Sequence, residues 1–510
     1  MTQSAALILR AGRFKLGALP FLLGALTVLG FAPFYFYFLP PLTVAALFYL
    51  WLHAGSRRAA FMIGFMFGLG LYGVGASWVY VSLHDFGMMP MPIAVLATLL
   101  FCAFLALFPA CAGWLQAWIK GAAALRLLVA MPAIFALFEW SLSWVFTGFP
   151  WLTLGYTQAP SGPLAGYAPL LGVFGVSWLL AVSAGLIALA YPAWRTARKY
   201  AWFALGGLLM LWSAGAALQF IAWTHPVGAP VTVSLLQGNI PQDMKWREER
   251  FMSTLVTYRN LVQGSQSRLI ILPETAIPLF YDQVPATYFA ELAQHARNNG
   301  GDLILGVPER DFAQHAYYNS VVSLGASPTQ FYRKQHLVPF GEFIPLRPVF
   351  GWVVDMLHIP LSDFSRGTAT QAPLTVAGQQ VAMDICYEDV FGEEIIRQLP
   401  QATLLANVSN DAWFGNSIAP RQHLQISQMR ALETGRYMLR ATNTGMTAIL
   451  NEKGRIVAQA PVFHEAALHG TAQGMMGSTP FVRWGNGAFL ALTALALAIA
   501  SGISCRARQT

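Results

Sequence analysis

Charged residues are scarce in this chain. They make up 11% of its 510 residues, whereas soluble domains average roughly 25%. Acidic residues are almost missing from the first 223 positions, which contain only Asp85 and Glu139, and the other 21 acids all follow. This shortage excludes a soluble N-terminal region. It indicates a membrane-embedded segment followed by a domain of a different kind.

Cysteine is also rare, and no glycine-rich phosphate-binding spacing is present. Of the four cysteines, only Cys386 lies between Cys111 and Cys505, so its own domain offers no disulfide partner. The net charge of +8 comes from short loops beside apolar segments. We therefore interpret it as a sign of membrane orientation and predict no nucleic-acid partner.

Apolar segments close to the roughly 20 residues that a membrane-spanning helix needs recur along the chain. Lys and Arg lie beside alternate ends of these segments, and the loops near 34–38, 83–91 and 148–168 contain neither. Basic loops remain in the cytoplasm, so we predict that both termini are cytoplasmic and that residues 224–486 lie outside. We predict eight spanning helices, at 16–33, 39–54, 59–82, 92–119, 127–147, 169–192, 200–223 and 487–504.

The pattern divides the chain into three parts. Residues 1–223 are a predicted membrane domain of seven helices, and residues 487–510 are a last helix with a cytoplasmic tail. The first helix follows basic residues, as a signal peptide does, but no small-residue cleavage site is evident, so we predict an uncleaved anchor. In residues 224–486 short apolar runs alternate with helical patterns, which predicts an α/β domain of about 260 residues.

Three predicted strand ends of this domain finish in chemically active side chains. The first carries Glu274, the second Lys334 and the third Cys386. A carboxylate, an ammonium and a thiol are a sufficient set for acyl transfer, with the thiol as nucleophile, the carboxylate as base and the ammonium as partner of the oxyanion. Spacing alone does not establish that the three groups meet.

The motifs around these residues resemble the nitrilase, or carbon–nitrogen hydrolase, superfamily. They are Pro273-Glu274-Thr275, Arg333-Lys334 with Pro339-Phe340-Gly341-Glu342, and Ile385-Cys386-Tyr387-Glu388. Four further stretches narrow the resemblance to apolipoprotein N-acyltransferases: Gln237–Trp246, His336–Pro345, Ser409–Gly415 and Arg430–Glu433. The resemblance covers nearly the whole chain and implies an α-β-β-α sandwich for the catalytic domain.

The resemblance implies an enzyme of the Gram-negative inner membrane with a periplasmic catalytic domain. Cys386 would take an acyl chain from the sn-1 position of a phospholipid such as phosphatidylethanolamine. It would pass that chain to the α-amine of a diacylglyceryl-cysteine on an apolipoprotein. Glu274 would be the base and Lys334 the oxyanion partner. Glu342, Tyr387, Glu388 and Trp246 match further positions that matter in the family. No metal or other cofactor is expected, and the chain is expected to be a monomer.

Simpler interpretations remain open for several residues. Cys386 can be an inert core thiol, Trp246 can be a core residue, and Glu342 and Glu388 can hold other groups in place instead of reacting. His423 is interpreted as structural because Glu274 already fills the role of base. Glu139 is expected either in a functional role or in a hydrogen bond between helices.

Two competing functions and one loop also remain open. A membrane-tethered hydrolase would use the same triad with water, and a transporter would need ionisable residues inside its spans. Trp151 and Tyr156, in the uncharged loop 148–168, are expected at the membrane interface or beside the mouth of the active site.

Overall fold

The computed structural model describes residues 13–196, 198–344 and 363–509, so Arg10 and Pro345 of the sequence patterns lie outside the described residues. The described chain forms two compact units. A helical unit takes in the residues up to Tyr80, Pro92–Ile221 and the residues from Trp484 onward. An α/β unit takes in Val81–Met91 and Ala222–Arg483.

The helical unit carries the apolar segments. Six stretches among the described residues are long and apolar enough to cross a membrane: Arg57–Gly75, Met91–Gln116, Ala123–Ser141, Pro163–Tyr191, Arg198–Leu218 and Gly487–Arg506. The stretches Gly17–Gly30 and Leu39–Leu52 are shorter. The membrane class is confirmed, whereas the count of eight spans stays a prediction. The helices are α1 (Arg13–Thr27), α2 (Leu39–Leu52), α3 (Arg57–Gly75), α4 (Met91–Gln116), α5 (Met131–Ser141), α6 (Ala168–Thr196), α7 (Arg198–Leu218) and α11 (Gly487–Gln509).

Small residues let the helices approach one another closely. A Cβ atom at Gly24 of α1 would collide with the backbone of Phe67 in α3, and one at Gly70 of α3 would collide with the backbone of Phe21 in α1. Helices in lipid gain stability from this kind of tight packing, because apolar side chains alone give no preference for protein over lipid. The glycines of α1 and α3 therefore fix this helix pair.

Glu139, Trp151 and Tyr156 of the helical unit are buried. The Oε1 atom of Glu139 accepts a hydrogen bond from the Leu154 N–H at 3.0 Å and another from the side chain of Ser177 in α6. The hydrogen bond between helices expected for Glu139 is thus present. Trp151 and Tyr156 are each only 1% exposed. Both side chains therefore pack into the core of the helical unit, and their expected position at the membrane interface or beside the mouth of the active site stays a prediction.

The α/β unit contains two six-stranded sheets. One has the order β13-β2-β3-β4-β5-β6 and the other β12-β11-β10-β9-β8-β7, while β1 pairs with β14. The strands are β1 (Thr224–Pro226), β2 (Val231–Gln237), β3 (Leu269–Ile271), β4 (Asp302–Asp311), β5 (Ala316–Gly325), β6 (Gln330–Arg333), β7 (Leu374–Val376), β8 (Gln379–Ile385), β9 (Leu404–Ser409), β10 (Tyr437–Thr442), β11 (Ala448–Leu450), β12 (Ile456–Gln459), β13 (Ala466–Ala472) and β14 (Met475–Gly477).

The sheets pack face to face, and helices cover their outer faces. Residues such as Ile271 and Met383 belong to one buried cluster drawn from both sheets. Helices α8 (Glu248–Gln263) and α9 (Ala286–Asn298) cover the first sheet, and α10 (Ala419–Thr434) covers the second. This arrangement confirms the predicted α-β-β-α sandwich.

Parallel pairing brings the ends of key strands together. Strands β2, β3 and β4 run parallel, as do β8, β9 and β10. The loops after β3, β8 and β9 therefore leave their sheets at carboxyl ends, where open α/β sheets carry their sites.

The segment Val81–Met91 belongs to the α/β unit, although its position in the sequence lies among the apolar helices. Its Ser82 hydroxyl donates to the carbonyl oxygen of Trp413 at 2.8 Å, and the rings of Phe86 and Trp413 lie 6.5 Å apart. The predicted boundary at residue 223 did not anticipate this addition.

Candidate active site

Cys386 directly follows β8, where the strand gives way to the short helical turn Cys386–Val390. Its φ angle is +55°, a left-handed conformation that costs a non-glycine residue about 1–3 kcal/mol. The thiol is free and partly exposed. Backbone strain of this kind persists only where surrounding contacts maintain it, and it is common at active sites. A partly exposed thiol on such a turn at the end of a strand is therefore a candidate nucleophile.

Lys334, Glu274 and Glu342 meet in one cluster. Lys334 Nζ lies 3.3 Å from Glu274 Oε1 and 2.9 Å from Glu342 Oε1. Asn319 of β5 donates its amide N–H groups to the same two oxygens, at 2.8 Å each. The second oxygen of Glu274 accepts the backbone N–H of Asn410 at 2.9 Å. We call Glu274, Lys334, Glu342 and Cys386 the catalytic cluster.

The electrostatics of the cluster set its resting protonation state. Burial opposes charge on Glu274, but Lys334 and Asn319 outweigh it and lower the pKa of this carboxyl. Burial likewise opposes charge on Lys334, but Glu342 and Glu274 raise its pKa. Burial and the charge of Glu274 raise the pKa of the Cys386 thiol well above its usual range, against the influence of Lys334. The resting site therefore holds a carboxylate, an ammonium and a protonated thiol.

This state suits a nucleophile that is activated only when it reacts. The thiolate is the reactive form of cysteine, and Glu274 can take the thiol proton as the sulfur attacks. Lys334 then faces the negative charge that develops on the acyl carbonyl oxygen. The arrangement can thus form and break thioesters.

Glu388 accepts hydrogen bonds from residues that neighbour Cys386 and Lys334 in the sequence. Its Oε2 accepts the Ile385 N–H at 2.7 Å and the Tyr332 hydroxyl at 3.0 Å, and its Oε1 accepts the N–H groups of Gln335 and His336. Burial raises the pKa of Glu388 to about 7, against Lys334 and these N–H donors. Glu388 ties the strand end before Cys386 to the segment after Lys334. Glu388 thus holds neighbouring groups in place, which is one of the two interpretations left open for it above.

Tyr387 and Trp246 have less direct relations to the cluster. The ring of Tyr387 packs edge-on to Phe391, with a centroid distance of 5.2 Å. Trp246 is partly buried and follows the turn that carries Lys245. The supporting role that the resemblance implies for these two residues stays a prediction.

Lys245 is a site residue that sequence reasoning missed. Its side chain is 3% exposed, and its Nζ donates to the backbone carbonyl of Glu274 at 3.2 Å. Burial lowers its pKa to about 8, although Glu274 and Cys386 favour the charged form. Lys245 belongs to the same stretch as Trp246, but a lysine in a polar loop gives no local sign of burial.

A second group of ionisable side chains, which we call the support cluster, consists of Asp389, Asp411, His423 and Arg440. Asp389 Oδ1 lies 2.9 Å from His423 Nε2, and Asp411 Oδ1 lies 3.0 Å from His423 Nδ1. Arg440 Nη2 lies 2.9 Å from Asp411 Oδ2 and Nη1 lies 3.4 Å from Asp389 Oδ2. All four residues are at most 1% exposed.

His423 contacts the backbone of the nucleophile. Its Nε2 lies 3.2 Å from the carbonyl oxygen of Cys386. This contact agrees with the structural interpretation of His423. Within the described residues, no group of three or more His, Cys, Asp or Glu side chains is placed to hold a metal ion.

Comparisons with known proteins agree with this geometry. The family model "Apolipoprotein N-acyltransferase N-terminal domain" matches residues 23–186, and "Carbon-nitrogen hydrolase" matches residues 232–481. The apolipoprotein N-acyltransferase of Nitrosomonas europaea is 58% identical over 95% of this chain and 97% of its own length. Those of Methylococcus capsulatus and Chromobacterium violaceum are 49% and 47% identical over 91% of this chain, and over 91% and 89% of their own lengths. The chain is a membrane enzyme that belongs to the apolipoprotein N-acyltransferase family.

Proposed function

We propose that the enzyme moves a fatty acyl chain from the sn-1 position of a membrane phospholipid to the N-terminal α-amine of diacylglyceryl-cysteine on an apolipoprotein. The observation that carries this proposal is the meeting of Glu274 and Lys334 beside the strained Cys386, in a chain whose described residues include six helices long and apolar enough to span a membrane. Both proposed substrates are anchored in a bilayer, which explains why the enzyme has such helices.

The first half-reaction is acylation of the thiol. Cys386 Sγ attacks the ester carbonyl of the phospholipid while Glu274 takes the thiol proton. Lys334 and the backbone N–H of Tyr387 stabilise the tetrahedral oxyanion. The C–O bond then breaks, Glu274 returns the proton to the departing glycerol oxygen, and lysophospholipid leaves. Cys386 is left as a thioester.

The second half-reaction passes the acyl chain to an amine. The neutral α-amine of the lipoprotein attacks the thioester, Glu274 takes a proton from the attacking nitrogen, and the thiol is restored as the C–S bond breaks. The same oxyanion donors serve both steps. Donor and acceptor thus react in turn at one site, in a ping-pong sequence.

The competing reaction is hydrolysis, in which water replaces the amine. The buried positions of Glu274 and Lys334, at 7% and 1% exposure, favour transfer because a thioester awaiting an amine must be shielded from water. Membership of an enzyme family argues against the transporter hypothesis, and Glu139 is the only acid among the apolar helices of the helical unit.

The charge pattern supports a specific orientation. Lys and Arg cluster beside alternate apolar segments, so we assign both termini to the cytoplasm and residues 224–486 to the periplasmic side of the inner membrane. In this assignment residues 1–223 and 487–510 are the membrane parts, and the enzyme acts as a monomer.

The test is intact-protein mass spectrometry after incubation with phospholipid and no acceptor. We expect a mass gain of one acyl chain on the wild-type enzyme. Hydroxylamine should remove it, and the Cys386→Ala variant should not acquire it. Addition of a diacylated lipopeptide should discharge the adduct onto the peptide amine. Release of free fatty acid in place of acylated peptide would support the hydrolase, and absence of any adduct would contradict the proposal.

A further inference from the structure

The carbonyl oxygen of Cys386 accepts two side-chain hydrogen bonds from residues outside its own turn. Asn407 Nδ2 lies 3.1 Å from this oxygen and His423 Nε2 lies 3.2 Å from it. Asn407 lies on β9 and His423 on α10, and both are completely buried. Two separate elements therefore converge on one backbone atom of the nucleophile.

The His423 nitrogen that faces Cys386 carries a hydrogen atom. Nε2 lies near two oxygen acceptors, the carbonyl of Cys386 and Asp389 Oδ1 at 2.9 Å. A bare nitrogen would repel both oxygens, whereas an N–H is attracted by both. This conclusion holds for the imidazolium and for the neutral ring protonated at Nε2.

The amide of Asn407 is oriented in the same way. Its Oδ1 accepts a hydrogen bond from Arg440 Nη1 at 2.6 Å, so its Nδ2 faces the Cys386 carbonyl and Asp384. A flipped amide would set an NH₂ group against the guanidinium. Asp384, Asn407 and Arg440 are register partners on β8, β9 and β10, so the sheet itself fixes this row.

A peptide group is planar and trans, so its C=O and N–H bonds point in opposite directions. The donors that hold the Cys386 carbonyl therefore also set the direction of the Tyr387 N–H, because both belong to one peptide group. We propose that His423 and Asn407 are positioning residues that aim the Tyr387 N–H at the oxyanion. This inference rests on the proposed acyl transfer, in which that N–H is an oxyanion donor.

The strained backbone explains why positioning is needed. At φ = +55° the turn at Cys386 lies in a conformation that a cysteine leaves readily unless its surroundings hold it. Hydrogen bonds to the carbonyl hold the peptide plane, and they also polarise the peptide group, which makes its N–H a stronger donor. The support cluster thus acts on the reaction through a single peptide.

The test compares two reactions of the same thiol. Acylation by phospholipid passes through an oxyanion. Alkylation by iodoacetamide does not, because sulfur displaces iodide directly and the thiol proton goes to the buffer. For His423→Phe and Asn407→Ser we expect thioester formation to fall about 100-fold, in the range that loss of an oxyanion donor produces. We expect alkylation of Cys386 to change by less than about threefold, since its nucleophilicity is retained.

Matched variants sharpen the comparison. His423→Gln keeps an N–H donor and should recover part of the acylation rate. Thr434→Ala removes the 2.8 Å hydrogen bond from the Thr434 hydroxyl to the Arg430 carbonyl oxygen, at the end of the same helix remote from His423, and should match the wild type in both reactions. Cys386→Ala gives the background from the other cysteines.

Each outcome decides. An equal fall in acylation and alkylation would overturn the inference, since it would mean a damaged fold or nucleophile, and so would unchanged acylation. If His423→Phe does not fold, Asn407→Ser carries the same comparison. A wild-type enzyme that forms no thioester would instead contradict the proposed function, which keeps the two failures distinct.

Discussion

Two clusters of buried charge adjoin Cys386, and they differ in balance and exposure. In the catalytic cluster two carboxylates share Lys334, and the three side chains range from 1% to 12% exposed. In the support cluster two carboxylates face two potential cations, and all four side chains are fully buried. The first cluster is slightly exposed, and the second is fully enclosed.

The two clusters differ in whether a proton can pass from one group to another. The Cys386 thiol has a raised pKa and the nearby Glu274 carboxyl a lowered one, so in the proposed reaction the proton passes to Glu274 only as the sulfur attacks. In the support cluster burial opposes charge, but Arg440 and His423 lower the pKa of Asp411, and the carboxylates raise that of His423 to about 9. Similar residue types thus provide catalysis in one place and rigidity in the other.

The largest expected effect is at the nucleophile. Cys386→Ser should abolish turnover, because an alkoxide is far harder to form than a thiolate beside the same base. Cys386→Ala should be equally inactive but fold as the wild type. Thioester formation and thermal unfolding of both variants check this. Measurable turnover by Cys386→Ala would mean that the thiol is not the nucleophile.

The next effect concerns the base. Glu274→Gln keeps the shape and an acceptor oxygen but cannot take a proton, so acylation should fall by about 10²–10⁴. Glu309→Gln is the matched control, since Glu309 pairs with Arg333 at the edge of the same sheet. Near wild-type acylation by Glu274→Gln would contradict the assignment of Glu274 as the base. It would also contradict the proposed difference in proton transfer between the two clusters.

The residues that sequence reasoning found share one property. Glu274, Lys334 and Cys386 each follow the end of a strand, and a chemically active side chain at that point is a local signal that can be recognised without a structure. Motif resemblance then supplied their grouping. The alternation of strands and helices predicted an α/β domain, and the resemblance implied its two sheets covered by helices.

The residues that it missed depend on tertiary packing. Asn319 lies within β5, where alternation gives a face but not its partner. Lys245 lies in a polar turn, and only the fold buries it against Glu274. Val81–Met91 contacts Trp413, more than 300 positions away, which no local pattern encodes. The positions of these residues depend on contacts with distant parts of the chain and not on the residue types themselves.

A smaller effect tests the support cluster through stability. The carboxylates raise the pKa of His423 from 6.5 to about 9, so its stabilisation is complete below pH 6.5 and is lost as the pH rises through 9. The advantage of the wild type over His423→Gln in thermal unfolding should therefore shrink between pH 6.5 and pH 9.5, by a few kcal/mol at most. An advantage that does not change with pH would mean that His423 is neutral in the fold.

The smallest effect concerns Lys245, whose Nζ contacts the Glu274 carbonyl, and its stability changes with pH in the opposite direction to that of His423. Burial lowers the pKa of Lys245 from 10.5 to about 8, so the unfolded chain binds the extra proton between these values. Relative to Lys245→Met, the wild type should gain stability as the pH rises from 8 to 10.5. Unfolding midpoints of the two proteins across this range check it. Equal slopes for the Lys245 and His423 pairs would contradict the opposite directions of these two pKa shifts.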